Sequence, residues 1–140
     1  MTTIVSNPAR VYDFVKQYIP IPIVSGMKGL GLEKDGELIA GVIYEGFNGT
    51  NVWMHVAATP GGKWLNKEYL RYCFYYPFVE MGCKRVSGYV EDSNEFAKRF
   101  DEHLGFQREA VLKGAATDGG DVILYVMRKE DCRYVTLAHH

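Results

Sequence analysis

A glycine-containing turn, Thr59 to Leu65, follows an extended run and precedes a helical pattern. The first N–H groups of a helix lack internal partners, and the helix dipole adds partial positive charge at the same end. A strand that ends in such a turn therefore offers a site for a phosphate group. The sequence predicts phosphate contacts from Gly61, Gly62, Lys63, Trp64 and Leu65, and the alternative is an ordinary strand-to-helix connection.

A second informative segment runs from Val86 to Phe106. Its first residues predict a strand, and Asn94 then precedes a helical pattern that ends at Gly105. The apolar residues expected on one face of this helix are Phe96, Ala97, Phe100 and Leu104. Asparagine is a good helix N-cap and glycine a good helix stop, so both residues also have a purely structural interpretation.

The elements that position these segments follow from periodicity and turn signals. We predict a helix, three strands, a helix, a strand, a helix and two strands, and this order favours an α+β domain with a mixed sheet. Asp35-Gly36 predicts a hairpin turn between the first two of these strands. The expected strand ranges are 29–33, 38–47, 51–57, 84–90, 107–115 and 121–128, with a helix at 93–103. A further helix should follow the glycine turn and be kinked or ended by Pro77, with a buried face of Leu65, Tyr69, Tyr72, Cys73 and Tyr76.

Composition narrows the class of protein. The 140 residues, 47% hydrophobic and 24% charged, predict one globular domain spanning residues 1–140. A formal net charge of -1 argues against a nucleic-acid partner, and the sequence lacks an apolar run long enough for a membrane span or a secretory leader. We therefore expect a cytoplasmic protein. Three cysteines without paired spacing predict reduced, mostly buried thiols and no metal site.

The segment around Asn94, Ala97, Phe100 and Gly105-Phe106 resembles the cofactor half of GCN5-related N-acetyltransferases (the GNAT superfamily). It is similar to enzymes that acetylate protein N-termini or polyamines and to small acetyltransferase-like proteins of phages, for which the location would be the host cytoplasm. The resemblance implies a mostly antiparallel sheet of about six or seven strands with splayed central strands. It also implies acetyl transfer from acetyl-CoA to a primary amine by direct attack in a ternary complex. The acceptor would be a small molecule or a protein N-terminus, and homodimers are common among such proteins.

The same resemblance assigns residues to the cofactor. Val56, Ala57 and Ala58 on the strand before the turn, residues 61–65 and Asn94 would contact coenzyme A, and backbone N–H groups near Val56 would face the oxyanion. The acceptor pocket would be built by residues about 20–28 and 114–120.

The resemblance also suggests which residues act in catalysis. His55 or Glu45 would be the general base, because relatives use a His or Glu on the central strands. Asp101 stands where many relatives have a tyrosine that protonates the thiolate. We expect it to be a solvated residue, and an ionised carboxylate cannot donate a proton unless burial raises its pKa strongly. Tyr44, Tyr89 and Tyr125 are expected in the core, and the alternative is that one of them donates a proton to the thiolate. A second hypothesis is a non-catalytic or virion-associated interaction module with this fold, favoured by Asp101 and by Trp64 and Asn66 near the phosphate turn.

Overall fold

The computed structural model describes residues 1–22, 25–60 and 66–136. The strands are β1 (Thr2–Val5), β2 (Lys28–Lys34), β3 (Glu37–Glu45), β4 (Asn51–Ala58), β5 (Arg85–Glu91), β6 (Gln107–Leu112) and β7 (Val122–Arg128). The α-helices are α1 (Pro8–Val15), α2 (Lys67–Tyr75), α3 (Glu95–Leu104) and α4 (Arg133–Thr136), with a π-helical turn at Tyr76–Glu80 and a 3-10 turn at Lys129–Asp131. No helix within the described ranges is long and apolar enough to cross a membrane.

The strands form one seven-stranded sheet in the order β1-β2-β3-β4-β5-β7-β6. All neighbouring pairs are antiparallel except β4 and β5, which are parallel. The α+β class and the mixed, mostly antiparallel sheet predicted from the sequence are therefore confirmed. The sequence analysis missed β1, a four-residue strand whose backbone pairs with β2.

The hairpin between β2 and β3 forms as predicted. Asp35 has φ 52° and Gly36 has φ 85°, so both central residues are left-handed. Asp-Gly is the preferred pair for such a turn because its twist matches that of the flanking strands.

Two hydrophobic clusters cover different parts of the sheet. The smaller cluster joins α1 to β3 and β4 through Val11, Phe14, Val15, Ile43 and Ala57. A Cβ atom on Gly41 of β3 would lie 3.0 Å from Val15 Cγ2, so the glycine allows α1 to approach the sheet closely. The larger cluster includes buried residues of α2, α3, β5 and β7, namely Phe74, Phe100, Leu104, Val86 and Tyr125.

The buried face of α2 differs from the predicted one. Tyr69, Leu70, Cys73 and Phe74 are buried, whereas Tyr72 is 52% exposed. Tyr69 and Cys73 are buried as predicted, but Leu70 and Phe74 take the place of Tyr72 in the core, so the buried face is rotated relative to the predicted one. Pro77 lies in the π-helical turn that continues α2, and Leu65 lies outside the described residues.

Two further predictions concern burial. Phe96, predicted on the apolar face of α3, is 56% exposed, and its ring stacks against the Phe100 ring with centroids 6.3 Å apart. Cys73, Cys83 and Cys132 are buried and form no disulfide with one another, as predicted.

Candidate active site

The two parallel strands at the centre of the sheet separate after a short paired section. β4 and β5 pair only through Asn51–Arg85, Val52–Val86 and Trp53–Ser87. Beyond these pairs, β4 remains bonded to β3 as far as Ala58, and β5 remains bonded to β7 as far as Glu91. The separation creates a strand edge inside the sheet, and the predicted splayed central strands are confirmed.

A cavity of about 400 Å³ lies where the strands separate. His55 and Val56 of β4 line it together with Tyr89 of β5 and Asn94 at the start of α3. Val56 and His55 alternate along β4 and so face opposite sides of the sheet. Side chains from both faces of the sheet therefore line the cavity.

A second, mostly apolar cavity of about 310 Å³ adjoins the first and shares Val56 and Asn94 with it. Its walls also include Ala57, Ala58 and Ala97. The structure thus brings together Val56, Ala57, Ala58 and Asn94, which were predicted to contact the cofactor. The other predicted cofactor residues, Gly61, Gly62, Lys63, Trp64 and Leu65, lie outside the described residues.

Helices α3 and α2 each begin with an asparagine cap. Asn94 Oδ1 accepts a hydrogen bond from Ala97 N at 3.0 Å, so the capping interpretation of Asn94 holds, and the same residue lines both cavities. Asn66 Oδ1 accepts from Tyr69 N at 3.0 Å. Helix α2 consequently begins at Lys67, and one N–H group of its first turn is already bonded to a side chain.

The two candidate bases form a pair. Ile43 lies opposite His55 in the β3–β4 register, so Glu45, two residues further on, is a diagonal neighbour on the same face. His55 Nε2 lies 3.0 Å from Glu45 Oε2. The His55 side chain is 1% exposed and that of Glu45 is 18% exposed. The sequence predicted His55 and Glu45 as alternative bases, and in the structure the two side chains are hydrogen-bonded to each other.

The environment of His55 sets its charge state. Burial lowers the pKa of His55 from 6.5, and the opposing effect of Glu45 only partly offsets this. The imidazole is therefore neutral near pH 7. Donation of Nε2–H to the Glu45 carboxylate leaves the lone pair on Nδ1, and an imidazole with a free lone pair can accept a proton.

Tyr89 completes this side of the cavity, and its predicted place in the core is wrong. It is 37% exposed, and its ring meets the His55 ring edge-on at 5.0 Å. The β-strand alternation of Val86, Gly88 and Val90 already puts Tyr89 on the opposite face, which is the signal that could have identified it. Burial raises the pKa of Tyr89 above 10.0.

The expectation that Asp101 is a solvated residue is also wrong. Asn94, Ala97 and Asp101 have the i, i+3, i+7 spacing of one helix face, and all three line the larger cavity. Asp101 is partly buried, and burial, together with the charge of Glu102, raises its pKa to about 7. Sequence reasoning missed this because the burial depends on the gap between two distant strands.

The remaining predicted residues fall as follows. Tyr44 and Tyr125 are buried as expected, and the Tyr125 hydroxyl donates to Glu102 at 2.7 Å. Parts of both segments expected to bind the acceptor line the larger cavity, namely Pro20, Ile21, Ala115 and Thr117. Glu91, which the sequence did not single out, accepts hydrogen bonds from the Thr117 N–H at 3.0 Å and hydroxyl at 2.9 Å and so fixes the loop between β6 and β7.

The fold is similar to that of solved N-acetyltransferase structures. The chain superposes on the spermidine N-acetyltransferase SpeG from Vibrio cholerae with a TM-score of 0.76 and 14% sequence identity, over 98% of each chain. A dodecameric structure of the same enzyme gives a TM-score of 0.74 over 98% of each chain, again with 14% identity. A protein to which acetyltransferase activity has been attributed gives 0.69 with 20% identity, over 91% of this chain and 84% of that one.

These similarities confirm the predicted fold. No protein-family model matches the sequence, and no curated protein matches it. The resemblance to small phage proteins stays a prediction.

Proposed function

We propose that this chain is an N-acetyltransferase that moves an acetyl group from acetyl-CoA to a primary amine. The observation that carries the proposal is the gap between β4 and β5, which opens beside a paired histidine and glutamate. An enzyme for acyl transfer must hold a neutral amine against the thioester carbonyl, remove one proton and stabilise the oxyanion. The groups around this gap are suited to each of these tasks.

The gap suits the pantetheine arm of coenzyme A. An extended chain with amide groups can pair with an exposed strand edge through main-chain hydrogen bonds. β4 offers such an edge from Met54 to Ala58, beside the apolar cavity lined by Val56, Ala57, Ala58 and Asn94. A backbone N–H near Val56 or Ala57 is our candidate donor to the oxyanion.

The His55–Glu45 pair suits the role of general base. His55 is neutral and lines the cavity, and the Glu45 carboxylate orients the ring and stabilises the imidazolium that forms when the ring takes the amine proton. The amine attacks the carbonyl directly while both substrates are bound. The loop residues Pro20, Ile21, Ala115 and Thr117 are our candidates for the acceptor pocket.

The diphosphate would be held by Gly61, Gly62, Lys63, Trp64 and Leu65, as the sequence predicts. We also retain the predictions of a small-molecule or N-terminal amine acceptor and of a cytoplasmic protein. A homodimer remains our expected assembly, and the dodecameric SpeG structure adds that larger assemblies occur on this fold.

One observation favours a second candidate, a non-catalytic interaction module with this fold. Asn66 occupies the Tyr69 N–H at the start of α2, which leaves fewer amides for a diphosphate at that helix end. Under this alternative, acetyl-CoA at millimolar concentration would leave the unfolding temperature unchanged. Under the enzyme proposal, acetyl-CoA at 100 times its Kd stabilises the protein by about 2.7 kcal/mol.

An acceptor screen tests the proposal. Purified protein is mixed with acetyl-CoA and a panel of polyamines, amino acids and peptides, and free thiol is measured with and without each amine. We expect amine-dependent thiol release and an amine heavier by one acetyl group in the mass spectrum. If no amine in the panel is acetylated and acetyl-CoA produces no thermal shift, the proposed function is wrong.

A further inference from the structure

The seven strands contain four glycines, and close packing explains three of them. A Cβ atom on Gly29, Gly31 or Gly41 would lie 2.8 to 3.0 Å from a side-chain carbon of α1 or of a neighbouring strand. A larger residue at any of these positions of β2 and β3 would therefore force the neighbouring side chains to move. Glycine is needed there because another part of the chain approaches the backbone closely.

The fourth strand glycine, Gly88 of β5, has no such explanation. Its φ lies outside the left-handed region, so its backbone conformation is open to other residues. Within the described part of the chain, apart from its own neighbours in sequence, a Cβ atom there would come within 4 Å only of Met54 O, at 3.4 Å, and of Asp101 Oδ2, at 4.0 Å. Both are ordinary van der Waals distances. A glycine inside a strand lowers stability and often marks a place where a ligand approaches the backbone.

Gly88 lies at the vertex of the gap between the central strands. Trp53–Ser87 is the last pair of β4 and β5, so Met54 and Gly88 are the first residues beyond it. By strand alternation, the missing side chain of Gly88 would be on the same face of the sheet as Val90. Met54 and Val90 line the larger cavity. The space left free at Gly88 therefore adjoins the inner end of this cavity.

The acyl group of a bound thioester would point toward this vertex. The proposed pantetheine arm follows β4 from Ala58 toward Met54, and the thioester lies at its end. The sulfur then lies on the Ala58 side, and the carbonyl oxygen accepts a hydrogen bond from β4 near Val56. Because the carbonyl carbon is trigonal, its third bond points away from both, toward β5 and Gly88. The amine attacks perpendicular to this plane, from the face of the sheet that carries His55.

We propose that the space over Gly88 is the acyl pocket and that it accepts a propionyl group as well as an acetyl group. This inference rests on the proposed acetyltransferase function. From Val56 to Met54 the strand advances two residues, or about 7 Å. An acetyl group extends only one C–C bond beyond its carbonyl carbon. A propionyl group therefore has room for its additional carbon between the thioester and the vertex.

The transfer makes and breaks the same bonds with either acyl group. The amine nitrogen bonds to the carbonyl carbon and gives one proton to His55. The C–S bond breaks, its electron pair goes to sulfur, and the resulting thiolate takes a proton from solvent. His55 then returns its proton to solvent. Gly88 takes no part in these steps and acts only on the size of the acyl group.

Steady-state kinetics with acetyl-CoA and propionyl-CoA test the acyl pocket in the wild type, in Gly88→Ala and in Val111→Ile. Val111→Ile is the matched control, because it also adds one carbon to a strand but at an exposed position on β6. In the wild type, kcat/KM for propionyl-CoA should lie within about tenfold of that for acetyl-CoA. Gly88→Ala should lower the ratio of propionyl to acetyl kcat/KM by about 10- to 200-fold, the usual effect of one carbon in an apolar pocket. Val111→Ile should leave this ratio unchanged.

Calorimetric titration supplies a second readout that does not need the acceptor amine. Gly88→Ala should weaken the Kd for propionyl-CoA at least about tenfold relative to the Kd for coenzyme A, which carries no acyl group. The variant is expected to fold, since the added Cβ atom has room and alanine reduces the conformational entropy of the unfolded chain. Urea unfolding checks this, and the wild-type preference between the two thioesters needs no variant at all.

The results separate this inference from the proposed function. A wild type that acetylates an amine but uses propionyl-CoA more than about tenfold less efficiently overturns the acyl pocket alone. A folded Gly88→Ala with a smaller loss of the propionyl to acetyl ratio, or a Val111→Ile with an equal loss, also overturns it alone. A wild type that transfers neither acyl group to any amine and binds neither thioester overturns the acyl pocket and the proposed function together.

Discussion

His55 on β4 and Glu45 on β3 are joined by a hydrogen bond of 3.0 Å between Nε2 and Oε2, on the face of the sheet opposite α3. The bond fixes the ring tautomer and puts the free lone pair on Nδ1. The same strand β4 borders the gap that we assign to the thioester. Base and thioester site are therefore held by one rigid element.

His55→Gln should lower kcat by about 10²- to 10⁴-fold, the usual range for loss of a general base. Glu45→Gln should lower it less, because the imidazole remains but loses its orienting partner. The double variant should be no slower than His55→Gln, since the two residues act as one unit. Steady-state kinetics and acetyl-CoA calorimetry on all three variants check this. Additive losses, or a weakened Kd equal to the loss in rate, would contradict it.

The pKa of His55 provides a prediction that needs no substrate. Burial lowers it below 6.5 while Glu45 raises it, so removing the Glu45 charge should lower it further. Proton NMR of the imidazole should show a midpoint below 6.5 in the wild type and a still lower one in Glu45→Gln. Asp13→Asn, an exposed carboxyl on α1, serves as the control and should leave the midpoint in place. An upward move in Glu45→Gln would mean that the pair is absent in solution.

Asp101 should make stability depend on pH. Its pKa is about 7 in the folded chain against 3.8 unfolded, so the folded state binds more protons between these values and stability is lost as pH rises through this window. The Asp101→Asn variant has no carboxyl group to ionise at this position, so it does not lose this stability as the pH rises. Its unfolding free energy relative to wild type should therefore rise by about 2 to 3 kcal/mol between about pH 5 and pH 8, at 1.36 kcal/mol per pKa unit.

Urea unfolding at the two pH values measures this difference, and Glu37→Gln, an exposed carboxyl on β3, should show almost none. A difference for Asp101→Asn that is equal at both pH values would show that the carboxyl keeps an ordinary pKa.

The phosphate turn predicted from the sequence can be tested with two ligands. Gly62→Glu places a negative charge where the diphosphate is expected, so the Kd for acetyl-CoA should rise more than tenfold. Acetyl-pantetheine lacks the diphosphate, and its Kd should not change. Fluorescence or calorimetric titrations of both ligands check this. Equal effects on the two ligands would place the diphosphate elsewhere.

The sequence predicted the elements whose signals are local. The Asp35-Gly36 hairpin, the cap at Asn94 and the stop at Gly105 are read from residue type because their geometry depends on the adjacent backbone. Strand β1 was missed because its four residues depend on pairing with β2, and a segment so short carries little periodicity.

The sequence identified several residues of the candidate site, but it did not predict their hydrogen-bond partners or their burial. His55 and Glu45 were named as alternative bases, yet their pairing follows from the β3–β4 register. Asp101 was set aside because its burial arises from contact between α3 and two separating strands, which no local pattern contains. Tyr72 and Phe96 were predicted to be buried but are exposed. Helical spacing identifies an apolar stripe, but it does not determine which edge of that stripe packs against the sheet.

Calorimetric titration of acetyl-CoA into the wild-type protein and Ala97→Phe tests the central claim most directly. Ala97 lines both cavities in the gap, so a phenylalanine there should fill the space for the arm, whereas Ala97→Ser should preserve it. We predict micromolar binding to the wild type and to Ala97→Ser, and a Kd at least tenfold weaker for a folded Ala97→Phe. Wild-type protein that does not bind acetyl-CoA at millimolar concentration, or a folded Ala97→Phe that binds as tightly as wild type, would contradict the placement of the thioester between β4 and β5.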